Sequence, residues 1–179
     1  MGDAGIVATN DKKIYSWIKK FRNHGMINRD RIDFWGLNLR MQPLQAIVAS
    51  KGLRKINRVI IKRNSNAKMM DGLLLALYPN VITPERIKNF KETFALYMCL
   101  VKKRDQLVKY LARHNIETKI HYPTPLNKQK AAKNLNLNQN NFKVANQQSK
   151  KLITLPIHQY MKKNEILYIA KKIKDFYKK

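Results

Sequence analysis

The segment from Pro43 to about Leu77 does most to constrain how this chain can fold. Proline opens it where a first helical turn tolerates proline. Leu44 and Val48, then Leu53, Ile56 and Ile60, then Ala67, Met70 and Leu74 keep an approximate apolar stripe at helical spacing. The spacing predicts one long helix ended by Pro79-Asn80, with a kink near Gly52 or Gly72, each of which weakens it by about 1 kcal/mol relative to alanine. Such a helix divides the chain. Residues 1 to about 40 are too few to build a core, residues 80–179 can build a small α/β domain, and the helix over 41–79 connects them.

Ahead of that helix, Gly5 to Thr9 reads as a short buried strand entered by the turn Gly2-Asp3-Ala4-Gly5. Asn10-Asp11 offers an N-cap for a helix through Asn23, whose Ile14, Trp17, Ile18 and Phe21 fall on one face, with Gly25 at its stop. Behind the long helix, Phe94 to Leu100 reads as a strand buried on both faces, Lys103 to His114 as a helix closed by a left-handed Asn115, and Glu117 to Tyr122 as a second strand. Strand, helix, strand implies a right-handed crossover and an α/β layer. Asn127 to Asn146, rich in Asn, Lys and Gln, is expected to be an exposed, mobile loop with short helical pieces. Ile153 to Pro156 reads as an edge strand stopped by proline. Glu165 to Tyr177 is an amphipathic helix with Ile166, Ile169, Ile173 and Phe176 in register.

Hydrophobic residues make up 44% of the 179 positions, which suffices for a packed core. The single cysteine, Cys99, excludes an internal disulfide and sits in an apolar run, where a buried structural thiol is expected. With no signal-like start and no apolar run near the roughly 20 residues that span a bilayer, a soluble cytoplasmic protein without membrane contact is the default. His24, His114, His121 and His158 lack metal-ligand spacing, so no metal is expected. A nucleophile elbow and a phosphate loop of Walker type are also missing.

The charge admits two readings. Thirty-seven Lys and Arg against eleven Asp and Glu give +26, enough to attract nucleic acid or an anionic surface. Yet the lysines are spread along the whole chain and accompany abundant Asn and Ile, as an AT-rich coding bias produces. A solvated, compositionally biased surface is the preferred reading, since no recurring basic–aromatic motif supports nucleic acid. A basic module for nucleic acid or an anionic surface is the alternative.

Several short motifs are informative together: Gly2-Asp3-Ala4-Gly5 with Ile6-Val7-Ala8 and Thr9-Asn10-Asp11; Arg22-Asn23-His24-Gly25; Gly36-Leu37-Asn38-Leu39-Arg40-Met41 with Leu44-Gln45-Ala46; Ile116 to Pro125; and Leu155-Pro156-Ile157. In this order and spacing they resemble the DegT/DnrJ/EryC1/StrS aminotransferases, pyridoxal-phosphate enzymes acting on nucleotide-linked keto-sugars in amino-sugar and surface-polysaccharide biosynthesis. Ala4 stands where that family usually has glycine. The resemblance covers nearly the whole chain. It implies the latter part of an aspartate-aminotransferase-like (type I) α/β fold, with residues 1–40 from the end of the large domain and residues 80–179 forming the small C-terminal domain.

The resemblance also implies roles. Asn38 would reach across a homodimer to the neighbour's cofactor phosphate, to which an amide donates without adding charge; it also reads as a loop residue capping the long helix. Arg40 would support that phosphate or the dimer contact, or form a structural ion pair. His121 and Tyr122 would face the nucleotide-sugar, or simply alternate in and out along a strand. His24 is read as structural. Pyridoxal 5'-phosphate and an amino-acid donor are implied. The family's Schiff-base lysine would precede Gly2, so no catalytic residue is assigned within the chain, and the chain alone is expected not to transaminate. A separately encoded first half could complement it. Without that half, the face of Ile14, Trp17, Ile18 and Phe21 lacks a core, and the first 35 or so residues are expected to be less well ordered than the later domain or to pack differently.

Overall fold

The computed structural model of the protein describes residues 3–178, the side chain of Gln139 excepted. Gly2, part of the expected entry turn, lies outside them. Two compact units divide the chain, one up to Ile56 and one from Asn57 onward.

The first unit begins with α1, Lys12–Phe21. Asp11 caps it: its Oδ1 accepts from the Lys13 and Ile14 amides at 2.7 and 3.2 Å, satisfying two of the donors a helix start leaves without intrahelical partners. The expected strand at Ile6-Val7-Ala8 does not form. A strand is stable only when a neighbour accepts its ladder, and no strand of the sheet belongs to this unit; Ile6 is 70% exposed. On α1, Trp17 stacks on Phe21 and on Phe34, with ring centroids 4.7 and 5.4 Å apart, yet Trp17 remains half exposed. Gly25 is the one buried residue among those described up to Ile56, so this unit has no hydrophobic core of its own.

The helical run from Pro43 is two helices, α2 (Pro43–Leu53) and α3 (Ile56–Leu75). The break follows Gly52. There the Arg54 amide turns back to the Ser50 carbonyl at a stretched 3.4 Å and the Lys55 amide to the Gly52 carbonyl at 3.0 Å, a tight closure that ends the regular ladder. Gly72 stays inside α3. The apolar stripe continued across the break because Leu53 and Ile56 are three residues apart on either side of it.

The second unit owns the core. Ala67, Met70 and Leu74 of α3 pack with Val81 of β1 (Val81–Ile82), Tyr97, Cys99 and Val101 of β2 (Tyr97–Val101), Leu107 and Leu111 of α4 (Arg104–Arg113), Ile153 and Leu155 of β3 (Leu152–Leu155), and Ile166, Ile169 and Ile173 of α6 (Lys163–Lys178). Each fully buried Leu or Ile contributes about 1.5–3 kcal/mol. The remaining helix, α5, is Lys143–Lys151. Three short 3-10 segments, Leu126–Lys128, Lys130–Leu135 and Gln139–Phe142, precede it, the short helical pieces expected in this stretch.

The sheet has the order β1-β2-β3 and is antiparallel throughout, with Tyr97 opposite Leu155 and Leu100 opposite Leu152. β2 starts at Tyr97 rather than Phe94 because Phe94 has φ 48, a left-handed conformation no strand accommodates. It buries alternate residues, not both faces. The second expected strand, Glu117 to Tyr122, is reduced to one bridge, in which Lys119 and Thr154 exchange both backbone hydrogen bonds (3.1 and 2.8 Å). The direct parallel crossover is therefore absent: the Lys119 segment runs in the same sense as β2 but lies on the far side of β3. β3 cannot extend the pairing, because Pro156 has no amide to donate. Asn115 is left-handed, φ 58, as expected of a residue closing α4.

Candidate functional site

The motif Arg22-Asn23-His24-Gly25 locks onto the one that follows it. The His24 amide donates to the Leu37 carbonyl (3.0 Å), the Leu37 amide to the Phe21 carbonyl (2.8 Å), and the Leu39 amide to the Arg22 carbonyl (2.9 Å), and Asn23 bridges Asn38. Two glycines make this possible. Gly25 has φ 72, and a Cβ there would fall 1.6 Å from the Phe34 oxygen; a Cβ on Gly36 would fall 2.4 Å from the Gly25 nitrogen. Only backbone fits between them. His24, itself left-handed at φ 61, contributes its amide to the crossing, in keeping with a structural role. Lys20 pairs with Asp33 on the outside of the same turn.

This lock presents Asn38 and Arg40 on the surface of the first unit. Arg40 Nε donates to Asn38 Oδ1 at 3.0 Å. A guanidinium has no acceptor, so the contact fixes which end of the amide is the oxygen. The Asn38 –NH2 is left to donate elsewhere, beside a permanent positive charge. Arg40 is hydrogen-bonded to an amide here and takes no part in an ion pair among the described residues.

His121 and Tyr122 belong to the second unit, directly after the Lys119 bridge. His121 Nδ1 lies 2.8 Å from Thr154 Oγ1. The two rings are 5.5 Å apart, edge to face, and Tyr122 is largely exposed; the peptide between them is cis. Thr154 was not singled out by its motif. The available signal was a lone hydroxyl residue in the apolar strand Leu152–Leu155, which demands a hydrogen-bond partner once buried.

A second polar cluster also escaped periodicity. Arg86 forks onto Asp71 through Nε and Nη2 (3.0 and 3.1 Å) and onto Glu92 through Nη1 (3.0 Å), with Tyr97 donating to Asp71 at 2.5 Å. The guanidinium lies over the Phe94 ring, 4.9 Å from its centroid. Nearby on α3, Asn64 Nδ2 donates to the Glu92 carbonyl and Arg63 Nη1 to the Phe94 carbonyl (2.7 and 2.9 Å). Together these tie the irregular segment between β1 and β2 to α3. Burial raises the Tyr97 hydroxyl far above its usual range, and the Asp71 hydrogen bond adds to the effect. Burial likewise pushes the Cys99 thiol up to about 12, so it is an inert core thiol rather than a nucleophile.

Two concavities of about 440 and 400 Å³ lie in the second unit, one among Asn127–Lys133 and Asn136–Leu137, the other around Lys102–Gln106 with Lys150 and Lys151. Neither is lined by His121 or Tyr122. Among the described residues no group of His, Cys, Asp or Glu could hold a metal ion, and no helix is long and apolar enough to cross a membrane.

Known proteins resemble this chain over nearly its whole length. The chain is 28% identical over 178 residues to a pleiotropic regulatory protein of Geobacillus stearothermophilus, covering 99% of itself and 48% of that protein. It is 28% identical over 172 residues to the dTDP-3-amino-3,6-dideoxy-alpha-D-galactopyranose transaminase of Aneurinibacillus thermoaerophilus, covering 96% and 46%. The crystal structure of a DegT DnrJ EryC1 StrS aminotransferase from Brucella abortus superposes with a TM-score of 0.89 at 23% identity, covering 96% of this chain and 45% of that one, which establishes the fold. The chain thus spans about half the length of the relatives it matches. Residues 1–174 match the model of the DegT/DnrJ/EryC1/StrS aminotransferase family, and the protein belongs to that family.

Proposed function

We propose that the protein serves pyridoxal-phosphate-dependent transamination of nucleotide-linked keto-sugars, and that this chain contributes the phosphate-reaching amide and part of the sugar-facing surface. The observation that carries the reading is the Arg40–Asn38 contact at 3.0 Å. It turns an exposed amide into a fixed pair of N–H donors next to a guanidinium, a donor set that suits the dianionic phosphate of the cofactor. When bound, the cofactor supplies the electron sink for moving an amino group. Asn38 binds and orients its phosphate across a homodimer, Arg40 holds the amide, and His121 and Tyr122 meet the nucleotide-sugar.

The covalent anchor is not assigned to any lysine of this chain, because none stands at the family's motif position. Incubation with pyridoxal phosphate, borohydride reduction and peptide mapping test this: no lysine among residues 1–179 is expected to be labelled stoichiometrically, and one fully labelled lysine overturns it.

The first unit supports a further part of the reading. Among its described residues only Gly25 is fully buried, and Ile14, Trp17, Trp35, Leu37 and Leu39 stay exposed. A polypeptide carrying the half of the fold that this chain does not match would cover them, whether on the same chain or a separate one. Adding such a half is expected to shift Trp17 and Trp35 fluorescence to the blue and to give, with an amino-acid donor and a dTDP- or UDP-linked keto-sugar, the aminated product. Asn38→Asp, which sets a carboxylate against the phosphate, should then weaken cofactor binding at least tenfold; unchanged affinity removes Asn38 from the cofactor site.

A further inference from the structure

Thr154 is 6% exposed, and its hydroxyl has one hydrogen-bond partner among the described residues, His121 Nδ1 at 2.8 Å. Its backbone amide and carbonyl are already committed to Lys119. A buried hydroxyl proton left without an acceptor is unfavourable, and among the described residues the acceptor offered is the ring nitrogen. The proton therefore lies on the Thr154 side, with Nδ1 as acceptor. In a neutral imidazole the other nitrogen must then carry the ring proton. Nε2 has no hydrogen-bond partner among the described residues.

We infer that Thr154 is a positioning residue for His121: it donates to Nδ1, fixes the ring orientation, and holds the imidazole as the Nε2–H tautomer, so that His121 meets a ligand as a hydrogen-bond donor to oxygen. The oxygen class this suits is a sugar hydroxyl, a carbonyl or a phosphate oxygen. Which of these is met rests on the nucleotide-sugar reading above; the Thr154–His121 assignment itself does not. The backbone reinforces the arrangement, because the same Thr154 that holds the ring also holds Lys119, two residues before it, in the one bridge this segment makes. Main chain and side chain are registered to one β3 residue.

Nitrogen-15 NMR of the 179-residue chain, with its four histidines assigned, tests the inference directly. His121 is expected to show an unprotonated Nδ1 and a protonated Nε2, with a slowly exchanging Thr154 hydroxyl proton coupled to Nδ1. Thr154→Val should abolish that proton and let the ring reorient, while Thr154→Ser restores both; the amide spectrum of the remaining core reports whether each variant folds. A protonated Nδ1 in the neutral parent chain, or a His121 ring unchanged in Thr154→Val, overturns the inference. Titration with UDP-N-acetylglucosamine separates the two layers. A shift confined to His121 Nε2 and its neighbours, weakened about tenfold by Thr154→Val and recovered by Thr154→Ser, supports both. Unmoved His121 signals with the expected tautomer intact overturn the sugar-facing role and leave Thr154 as the holder of the ring.

Discussion

Gly36 meets Gly25 backbone to backbone: a Cβ on Gly36 would stand 2.4 Å from the Gly25 nitrogen and 2.6 Å from the Phe21 carbonyl oxygen. Neither neighbour is the flexible end of a side chain, so the crossing itself must open to admit a methyl group. Gly36→Ala is expected to cost about 1–3 kcal/mol of local stability and to release the His24–Leu37 hydrogen bond. Amide exchange reads it: His24, Leu37 and Leu39 lose protection while Leu107 and Ile153 keep theirs. Retained protection at Leu37 would show that the lock tolerates a side chain.

Arg40 and Asn38 are both exposed, so their contact orients rather than stabilises. Arg40→Ala is expected to change global stability by less than about 0.5 kcal/mol, while the two Asn38 side-chain amide protons converge toward the shifts of a freely rotating amide. Arg40→Lys keeps charge but offers no planar fork and should behave like the alanine variant. A stability loss above 1 kcal/mol would mean the pair carries the fold instead.

Arg86 joins two acidic residues and two rings, with 30% of its side chain exposed. Removing it leaves Asp71 and the Tyr97 hydroxyl facing each other without a cation. For a fully buried pair the loss of one partner costs about 3–5 kcal/mol; solvent screening at this partly exposed site lowers the expectation for Arg86→Ala to about 1–3 kcal/mol. Tyr97→Phe removes one donor from Asp71 and should cost about 1 kcal/mol. Urea unfolding of both variants and the double variant checks the numbers, and strict additivity would show that the cluster does not act as a unit.

Stability is expected to fall at alkaline pH. The Cys99 thiol is raised from 9.0 to about 12 by burial, with the Asp71 charge adding, and Tyr97 and Tyr177 are also raised, chiefly by burial. For each, the folded state holds its proton more tightly than the unfolded chain. Their contribution is complete below the unfolded values and is lost as pH rises through the folded ones. The urea midpoint should therefore decline across roughly pH 9–12. Cys99→Ala should flatten the early part of that decline, and the native thiol should resist iodoacetamide at pH 8. Rapid alkylation without unfolding would contradict its burial.

Sequence patterning went furthest where one element suffices. The Asp11 cap, the Ile166–Ile169–Ile173 stripe of α6, the buried Cys99 and the left-handed Asn115 are all decided by neighbours within a turn or a strand, and all appear as read. The interruption between α2 and α3 falls just after Gly52, where a kink was expected, but that it is a full break was hidden because the apolar stripe runs on through Leu53 and Ile56 while the backbone closes beneath it. The Glu117–Tyr122 strand and the Ile6–Ala8 strand have suitable residues but lack a partner of sufficient length, and a partner is a property of the assembled sheet. For the candidate site, the motifs carrying Asn38, Arg40, His121 and Tyr122 were visible. The means by which each is held was not: Gly36 against Gly25, Arg40 Nε on the Asn38 oxygen and Thr154 on His121 are contacts that spacing along a chain does not encode.

The unit with no core precedes, in the chain, the unit that has one. Ribosomes extend a chain at about 5–20 residues per second, so Trp17, Trp35 and their apolar neighbours emerge seconds before Tyr97, Leu107 and Ile153 are all available to collapse together. During that interval a polypeptide of these 179 residues alone displays those side chains before the second unit's core has formed. Fusing a solubilising carrier ahead of α1 should therefore raise recovery of this protein more than the same carrier placed after α6.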